Sequence, residues 1–296
     1  MSIILQLLIN GLIAGAIYAL VASGFSLIYS TCKFIHFAHG AVIAFSAYFL
    51  YFLFAILGFE FYISIILSII FASLLGYGLN LIVYRKLRKR KASNFVLLIS
   101  SLALLILLES LILMFFGADV KTIGFIEVSK GIDIFGGIIT PLQIVIIAVS
   151  VLLLISLLLF MKRTRLGKAM RAVSDNKNVA EIVGISSEKI YTWSFIIGSG
   201  IAGIAGILIS LEQNLEPTMG TGLIIKGFTA AIIGGIGSIP GAILGAFLLG
   251  FAENFGVWFL PSGYKDAIAF VILFLFLLFR PKGILGIKKE GDKEQQ

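Results

Sequence analysis

The sequence predicts an all-α fold: a polytopic bundle of transmembrane helices with about eight to ten spans, of which nine is the favoured number. Three observations support this fold class. Hydrophobic residues make up 59% of the 296 residues, charged residues only 13%, and the mean hydropathy is +1.10, whereas soluble proteins carry about twice that share of charge. Apolar segments long enough to cross a bilayer recur along the chain. Basic residues gather between these segments.

Nine apolar segments account for most of the chain. They run at about 3–28, 38–57, 61–84, 94–116, 139–161, 191–211, 223–237, 241–259 and 265–280. The first segment lacks the basic residues that open a cleavable signal, so we expect it to remain as a span. Little sequence is left for a soluble domain, and residues 1–296 are therefore interpreted as one membrane domain.

Basic residues predict the orientation of these segments. Three clusters, at 85–91, 162–189 and 280–293, hold 18 of the 23 lysines and arginines. Cytoplasmic loops carry such an excess of positive charge, so all three clusters are expected inside. Nine crossings then place the N-terminus and the loop 117–138 outside. The acidic residues of that loop are Asp119, Glu127 and Asp133. Because no base-stacking or groove-reading element accompanies the positive charge, nucleic acid is not expected as a partner.

The segment 223–237 is short for a span and rich in glycine. Gly234, Gly235 and Gly237 lie within it, and Pro240 follows as a helix breaker. Two interpretations stay open and are compatible: close helix packing through small residues, or a broken or re-entrant stretch that lines a substrate path. A phosphate-binding loop is excluded here, because the chain lacks the pattern G-x-x-x-x-G-K-[ST].

Both histidines of the chain lie between the first two apolar segments. His36 and His39 have only Cys32 near them in the sequence, which is not enough for a metal site. The hydrolase signatures G-x-S-x-G and H-E-x-x-H are absent from the chain. We therefore expect no catalytic residue and no metal ligand, and we interpret His39 as a structural residue at a helix start. His39 and Gly40 are also candidates for lining a translocation path.

Three glutamates lie in apolar surroundings: Glu60, Glu109 and Glu253. A carboxylate within a membrane is costly and is a functional candidate by default. Glu60 lies at a predicted turn and is interpreted as interfacial. Glu253 is expected toward the outer half of its span, where it could face a cavity, and joins the translocation-path candidates. Glu109 allows two interpretations, a proton carrier or a protonated group that hydrogen-bonds between helices.

A polar, net-positive stretch at 162–190 interrupts the apolar segments. One short amphipathic helix is predicted within it, over Asn178, Val179, Ala180, Glu181, Ile182, Val183 and Gly184. We expect Asn178 to cap this helix with Glu181 completing a capping box, Gly184 to end it in the left-handed conformation, and the serine pair 186–187 to cap the next span. An apolar stripe outside the membrane has no lipid to cover it, so this helix is expected to contact a soluble partner.

Four stretches of sequence together resemble a known family. They are FIHFAHG at 34–40, TRLGKAMRAVSDNKNVAEIVGI at 164–185, FTAAIIGGIGSIPGAILGAFLLGFAE at 228–253 and RPKGILG at 280–286. In this order they are similar to the LivH-type permease subunit of branched-chain amino-acid ABC importers, over nearly the whole chain. One position departs from the family pattern. LivH-type chains commonly carry an acidic residue directly after FAHG, where this chain has Ala41.

The resemblance implies partners and a role. A LivH-type subunit would pair with a second, LivM-type permease, two cytoplasmic ATPase subunits and an external binding protein that delivers leucine, isoleucine or valine, in the inner membrane of a prokaryote. The ATPases would use ATP and Mg²⁺, and this chain would bind no cofactor. The predicted helix is similar to the coupling loop of such permeases. The residues alone leave two other functions open: a self-contained proton-coupled transporter using Glu109 or Glu253, and a membrane enzyme built around His39.

The predicted orientation can be tested by cysteine accessibility on a Cys32→Ala background. Single cysteines at 85–91 and 165–189 are expected to react only with reagent applied from the cytoplasm, because positive loops stay inside. Cysteines at 119–133 are expected to react only from outside. Labelling of Lys177→Cys from outside in intact cells would contradict this orientation.

Overall fold

The computed structural model describes residues 2–125 and 131–286, and nearly all regular structure in this part of the chain is helical. Eight of its helices are long and apolar enough to cross a membrane, and one further apolar helix is shorter. The helices are α1 (Ser2–Cys32), α2 (His39–Tyr51), α3 (Phe61–Leu79), α4 (Arg85–Lys89), α5 (Asn94–Phe116), α6 (Pro141–Arg163), α7 (Arg165–Asp175), α8 (Lys177–Ile182), α9 (Ser187–Glu212), α10 (Met219–Gly234), α11 (Ile239–Gly256) and α12 (Lys265–Phe279). The predicted all-α transmembrane bundle is confirmed.

Two spans change helix type along their length. α2 continues as π-helix over Phe52–Ile56, and α3 continues as π-helix over Asn80–Tyr84 before it joins α4. The third span therefore reaches Lys89, beyond the predicted end at residue 84. The shorter helix is α10, which occupies Met219–Gly234 rather than the predicted 223–237.

The chain turns back into the bundle between α1 and α2. Residues 33–38, the re-entrant segment, are not helical, and α2 starts at His39. The His39 Nε2 atom lies 3.0 Å from the position that a Cβ on Gly24 would take. With a rise of about 1.5 Å per residue, Gly24 lies about 12 Å along α1 from its end at Cys32. α2 therefore begins well inside the bundle, a feature that the sequence did not predict.

Ser101 of α5 holds the re-entrant segment in place. Its hydroxyl accepts from the Phe37 amide at 3.2 Å, and its proton is shared between the Ile35 carbonyl at 3.2 Å and the Leu98 carbonyl of its own helix at 2.8 Å. Backbone polar groups at membrane depth need such partners, because lipid offers none. This serine thus allows non-helical backbone inside the bundle.

α9 lies at the centre of the bundle and packs against α1, α2 and α3. Glycines form its contact faces. A Cβ on Gly198 would stand 3.0 Å from the Gly24 carbonyl oxygen of α1, and a Cβ on Gly206 would overlap the α2 backbone. The Ser46 hydroxyl of α2 donates to the Gly203 carbonyl at 3.1 Å. Small residues therefore let these helices approach closely, as in other membrane bundles.

α10 and α11 form a hairpin closed by the turn 235–238. Side chains at Gly234 or Gly245 would overlap the backbone of the opposite helix, at Gly241 and Ala230 respectively. Gly235 has a φ of +109°, a backbone conformation that favours glycine. Of the two interpretations of the glycine-rich segment, close packing is therefore confirmed for Gly234, and the helix ends at Gly235 instead of breaking within 223–234.

The C-terminal segment 280–286 packs onto the end of α10. The amides of Ile284 and Leu285 donate to the carbonyls of Ile233 and Gly234 at 2.9 and 2.8 Å. The last carbonyls of a helix lack partners within the helix, so this segment supplies them. Gly235 of the glycine-rich turn is thereby buried against Gly286, whereas Ile236 stays exposed.

A small hairpin, β1 (Ile132–Ile134) and β2 (Gly137–Ile139), lies beside the start of α1. The Gln6 side chain accepts from the Ile138 amide at 2.7 Å and donates to the Ile138 carbonyl at 3.1 Å. This contact places the hairpin at the predicted external side. Four residues of the predicted charge pattern lie outside the described residues: Glu127, Lys288, Lys289 and Lys293.

Tight packing of the hairpin predicts that Gly234→Ala is destabilising. The added methyl group would overlap Gly241, and such overpacking typically costs about 1–3 kcal/mol. Gly222→Ala on the same helix is the matched control, because nothing lies within 4 Å of its Cβ position. The control is expected to keep or slightly raise thermal stability in detergent. Equal melting temperatures for Gly234→Ala and the wild type would contradict the packing.

Candidate coupling helix and translocation-path residues

Two short helices, α7 and α8, follow α6 on the predicted cytoplasmic side. Thr164 starts α7, and its hydroxyl accepts from the Gly167 amide at 3.0 Å. α7 is amphipathic and buries Met170 and Val173 against the bundle. It packs on α1, α6 and α9, so it attaches the polar stretch to the membrane helices and positions α8 beside α9.

The N-terminus of α8 is capped by a different residue from the predicted one. The Asn176 side chain accepts from the amides of Asn178 and Val179 at 3.0 and 3.2 Å. The predicted capping box of Asn178 and Glu181 is therefore wrong. Lys177 is already helical, and the Glu181 carboxylate instead accepts a hydrogen bond from the Ser187 hydroxyl. Glu181 thus connects α8 to the first turn of α9.

The C-terminus of α8 follows the prediction. Gly184 has a φ of +87°, the left-handed conformation expected for the residue that ends a helix. The Ile185 amide then donates to the Ala180 carbonyl at 2.9 Å. Ser186 occupies the cap position of α9, but its side chain makes no capping hydrogen bond. The expected serine cap is therefore wrong, and the Glu181–Ser187 hydrogen bond connects α8 to α9.

α8 has one apolar side that nothing in the described chain covers. Val179, Ile182 and Val183 are 54%, 83% and 68% exposed, whereas Ala180 on the opposite side is buried. Single exposed apolar residues are common on protein surfaces, but three on one short capped helix form a patch. The patch lies beyond the span ends at Arg163 and Ser187, where lipid is not expected to cover it.

His39 and Gly40 form the first turn of α2, and both are buried. The predicted position of His39 at a helix start is confirmed. A Cβ on Gly40 would stand 2.5 Å from the Gly220 carbonyl oxygen and 2.7 Å from Ile224 Cγ2. The first turns of α2 and α10 are therefore in backbone contact inside the bundle.

Gly234, Gly235 and Gly237 lie at the other end of α10. With a rise of about 1.5 Å per residue, Gly234 lies about 20 Å along the helix from Gly220. Gly235 and Gly237, with φ values of +109° and +88°, form the turn into α11. The structure does not bring these three glycines to the start of α2.

Glu253 forms a third, separate location. Its side chain is 1% exposed, accepts a hydrogen bond from the Tyr18 hydroxyl at 2.8 Å, and lies 3.6 Å from Lys226 Nζ. The same Nζ atom lies 3.1 Å from the Asp266 carboxylate. The charge and the hydroxyl that offset the desolvation of the Glu253 carboxylate both face its Oε2, whereas Oε1 is buried without a hydrogen-bond partner among the described residues. Its part in a translocation path stays a prediction.

The ion pair of Lys226 and Glu253 was not predicted, although the sequence contains a signal for it. Lys226 is the single Lys or Arg between Lys189 and Lys265. A charge within an apolar segment calls for a partner of opposite charge, and Glu253 is the acidic residue in the next span. The two could have been paired from the sequence, whereas Tyr18 is distant in the chain and gave no comparable signal.

The remaining acidic candidates have local roles in the structure. The Glu109 carboxylate accepts from the Thr221 hydroxyl and so connects α5 to α10. Glu60 lies directly before α3 and accepts from the Ile63 amide at 3.0 Å. Within residues 2–125 and 131–286, His, Cys, Asp and Glu side chains form no group of three that would hold a metal ion.

The two candidate caps of α8 can be separated by alanine substitutions. Asn176→Ala is expected to weaken α8 by about 1 kcal/mol, as loss of an N-cap typically does. Asn178→Ala is the matched control and is expected to leave the helix intact. Hydrogen exchange of the amides at 178–183 measures the difference. Faster exchange in Asn178→Ala than in Asn176→Ala would contradict the observed cap.

Comparisons with known proteins cover nearly the whole chain. A family model described as branched-chain amino acid transport system / permease component matches residues 7–277. The high-affinity branched-chain amino acid transport system permease protein BraD of Pseudomonas aeruginosa is 38% identical over 297 residues, with 95% of each chain covered. The corresponding permease protein LivH of Escherichia coli K12 is 33% identical over 295 residues, again with 95% of each chain covered.

A solved structure is also similar at a low level. PsaBC from Streptococcus pneumoniae in complex with Fab has a TM-score of 0.48 and 15% identity, covering 95% of this chain and 93% of that one. That likeness is too low to carry a conclusion. The family match and the two permeases are sufficient: this multi-pass inner-membrane protein is a transport component and not an enzyme, and it belongs to the family of permease components of branched-chain amino acid transport systems.

Proposed function

We propose that this chain is one permease subunit of an ATP-driven importer for branched-chain amino acids: leucine, isoleucine and valine. The observation that carries the proposal is the exposed apolar patch of α8 on the predicted cytoplasmic side of a chain of this family. The substrate class follows the description of the family and the names of BraD and LivH.

The patch on α8 is proposed to dock in a groove of a cytoplasmic ATPase subunit. An exposed apolar helix face of this kind suits helix-in-groove recognition. The helix is held at both ends, by the Asn176 cap and by the Glu181–Ser187 hydrogen bond. A force applied at Ile182 would therefore move the helix as a unit and reach α9.

The proposed importer contains further subunits. A second, LivM-type permease would complete the membrane domain, two ATPases would bind ATP and Mg²⁺, and an external binding protein would deliver the amino acid. The present chain lacks a phosphate-binding loop, so ATP is proposed to bind to the ATPases and no cofactor to this subunit. The proton-coupled transporter and the membrane enzyme are set aside, because the family consists of transport-system permease components.

Of the translocation-path candidates, His39 and Gly40 have the position that best suits the role. They lie inside the bundle at the first turn of α2, next to non-helical backbone. Such backbone occurs at membrane depth only where protein or a water-filled cavity covers it. Both residues are enclosed in this conformation, so we propose that the path opens by a movement of α2 relative to α10.

Docking on α8 predicts that Ile182→Asp abolishes ATPase association and ATP-driven uptake. A carboxylate placed in an apolar groove loses water without gaining a partner, a cost of about 2–5 kcal/mol for an unpaired buried charge at an interface. Asn94→Asp is the matched control, because it adds the same charge at an exposed cytoplasmic residue away from α8. Co-purification of the ATPases and uptake in proteoliposomes are the measurements. Wild-type co-purification and uptake with Ile182→Asp would refute the proposed docking.

A further inference from the structure

Arg88 is anchored by several contacts that its place in the basic cluster 85–91 does not explain. Its side chain is 13% exposed, and its guanidinium pairs with Glu188 through Nε and Nη2, both at 3.0 Å. The Nη2 atom also donates to Asn80 Oδ1 at 2.8 Å, and the guanidinium carbon lies 4.8 Å from the centre of the Tyr191 ring. A charge that only sets membrane orientation needs no such geometry, whereas a bidentate, stacked arginine specifies the position of its partners.

The Arg88 partners on α9 lie beside the residues that α8 contacts. Glu188 and Tyr191 lie in the first two turns of α9, next to Ser187, which hydrogen-bonds to Glu181 of α8. Lys177 Nζ of α8 lies 6.0 Å from the centre of the Tyr191 ring. A continuous series of contacts therefore runs from α8 to the start of α9 and, through Arg88, to the third span.

On the third span, Arg88 acts on a π-helical turn. Asn80, the first residue of the π-helix Asn80–Tyr84, accepts from Arg88 and donates to the Thr192 hydroxyl of α9 at 3.1 Å. A π-helix adds a residue to a turn and so rotates the side chains that follow, and such turns occur frequently at functional sites. Here Asn80, at the start of the π-helix, contacts α9, and Tyr84, at its end, contacts the re-entrant segment.

Tyr84 connects the π-helix to the start of α2. The Tyr84 hydroxyl and His36 Nδ1 are 2.9 Å apart, and both side chains are buried. Among the described residues, the other ring nitrogen of His36 has no hydrogen-bond partner, so Tyr84 supplies the hydrogen bond of a ring that otherwise packs against Phe195. His36 belongs to the re-entrant segment, and α2 starts three residues later at His39.

We propose that Arg88 is a positioning residue that couples movement of α8 to the start of α2 inside the bundle, through Asn80, Tyr84 and His36. The inference rests on the proposed docking of α8 to an ATPase. It identifies the contacts that would convert ATP-driven movement at the cytoplasmic surface into movement of His39 and Gly40.

The test is Arg88→Met in the complete importer, reconstituted with its ATPases and binding protein. The ratio of amino acid imported to ATP hydrolysed is expected to fall by about fivefold or more, the lower end of the factor by which coupled sites typically change each other's affinity. ATPase co-purification and ATP hydrolysis are expected to stay at wild-type levels, because α8 keeps its patch. Arg90→Met, an exposed arginine of the same cluster, is the control and is expected to leave all three quantities unchanged.

Two further variants distinguish a role of Arg88 in transmitting movement from a role in stabilising the fold. The exchange Arg88→Glu with Glu188→Arg restores the ion pair and is expected to recover part of the ratio. Tyr84→Phe removes only the hydroxyl that holds His36 and is expected to lower the ratio in the same direction. If Arg88→Met does not insert into the membrane, the ratio measured for Tyr84→Phe tests the proposal by itself.

A wild-type ratio in Arg88→Met or in Tyr84→Phe would overturn the proposal. Loss of ATPase co-purification in both Arg88→Met and the conservative Arg88→Lys would also overturn it, because Arg88 would then support the docking surface without transmitting movement. The docking proposal is tested separately with Ile182→Asp, and intact ATPase association in that variant would contradict it.

Discussion

Backbone contact between helices, made possible by glycine, is the constraint on which the rest of the structure depends. In lipid, helices gain no hydrophobic free energy by associating, so they rely on close van der Waals contact and hydrogen bonds. Gly206 lets α9 meet the α2 backbone, Gly234 lets α10 meet α11, and Gly40 lets α2 meet α10. Each contact leaves no room for a side chain. The relative positions of the helices are therefore fixed by a few residues that carry no chemistry of their own.

Charged pairs add specificity to this glycine-packed bundle. Lys226 and Glu253 join α10 to α11, while Arg88 and Glu188 join the third span to α9. Buried ion pairs contribute little net stability, because desolvation offsets much of the attraction, but loss of one partner leaves a costly unpaired charge. These pairs therefore favour one register of neighbouring helices over its alternatives more than they strengthen the bundle.

Several features encoded within a short stretch of sequence were predicted correctly, whereas features that depend on the backbone path or on distant residues were not. α5 begins and ends at the predicted residues 94 and 116, because its apolar run has clear polar ends. Gly184 ends α8 as expected, since a single residue type supplies the left-handed conformation. The choice between Asn176 and Asn178 as the cap failed, because both residues suit the position and only the backbone path decides between them.

The start of α2 inside the bundle shows most clearly why the remaining features were missed. The segment 33–38 owes its position to Ser101, which is more than sixty residues away in the chain, and to Gly24, which leaves space for His39. None of these residues marks such an arrangement in the sequence. The same holds for Tyr84, whose contact with His36 depends on a π-helical turn that apolar periodicity does not reveal.

The glycine contacts and the charged pairs together restrict how the protein can move. Packed interfaces without spare volume do not deform continuously, so rearrangement occurs as shifts of whole helices between discrete positions. The residues able to guide such shifts are those whose side chains reach between helices by directional bonds, and Arg88 contacts both α9 and the π-helix. Glycine contacts therefore make the helices move as rigid units, and the arginine network determines which of these units move together.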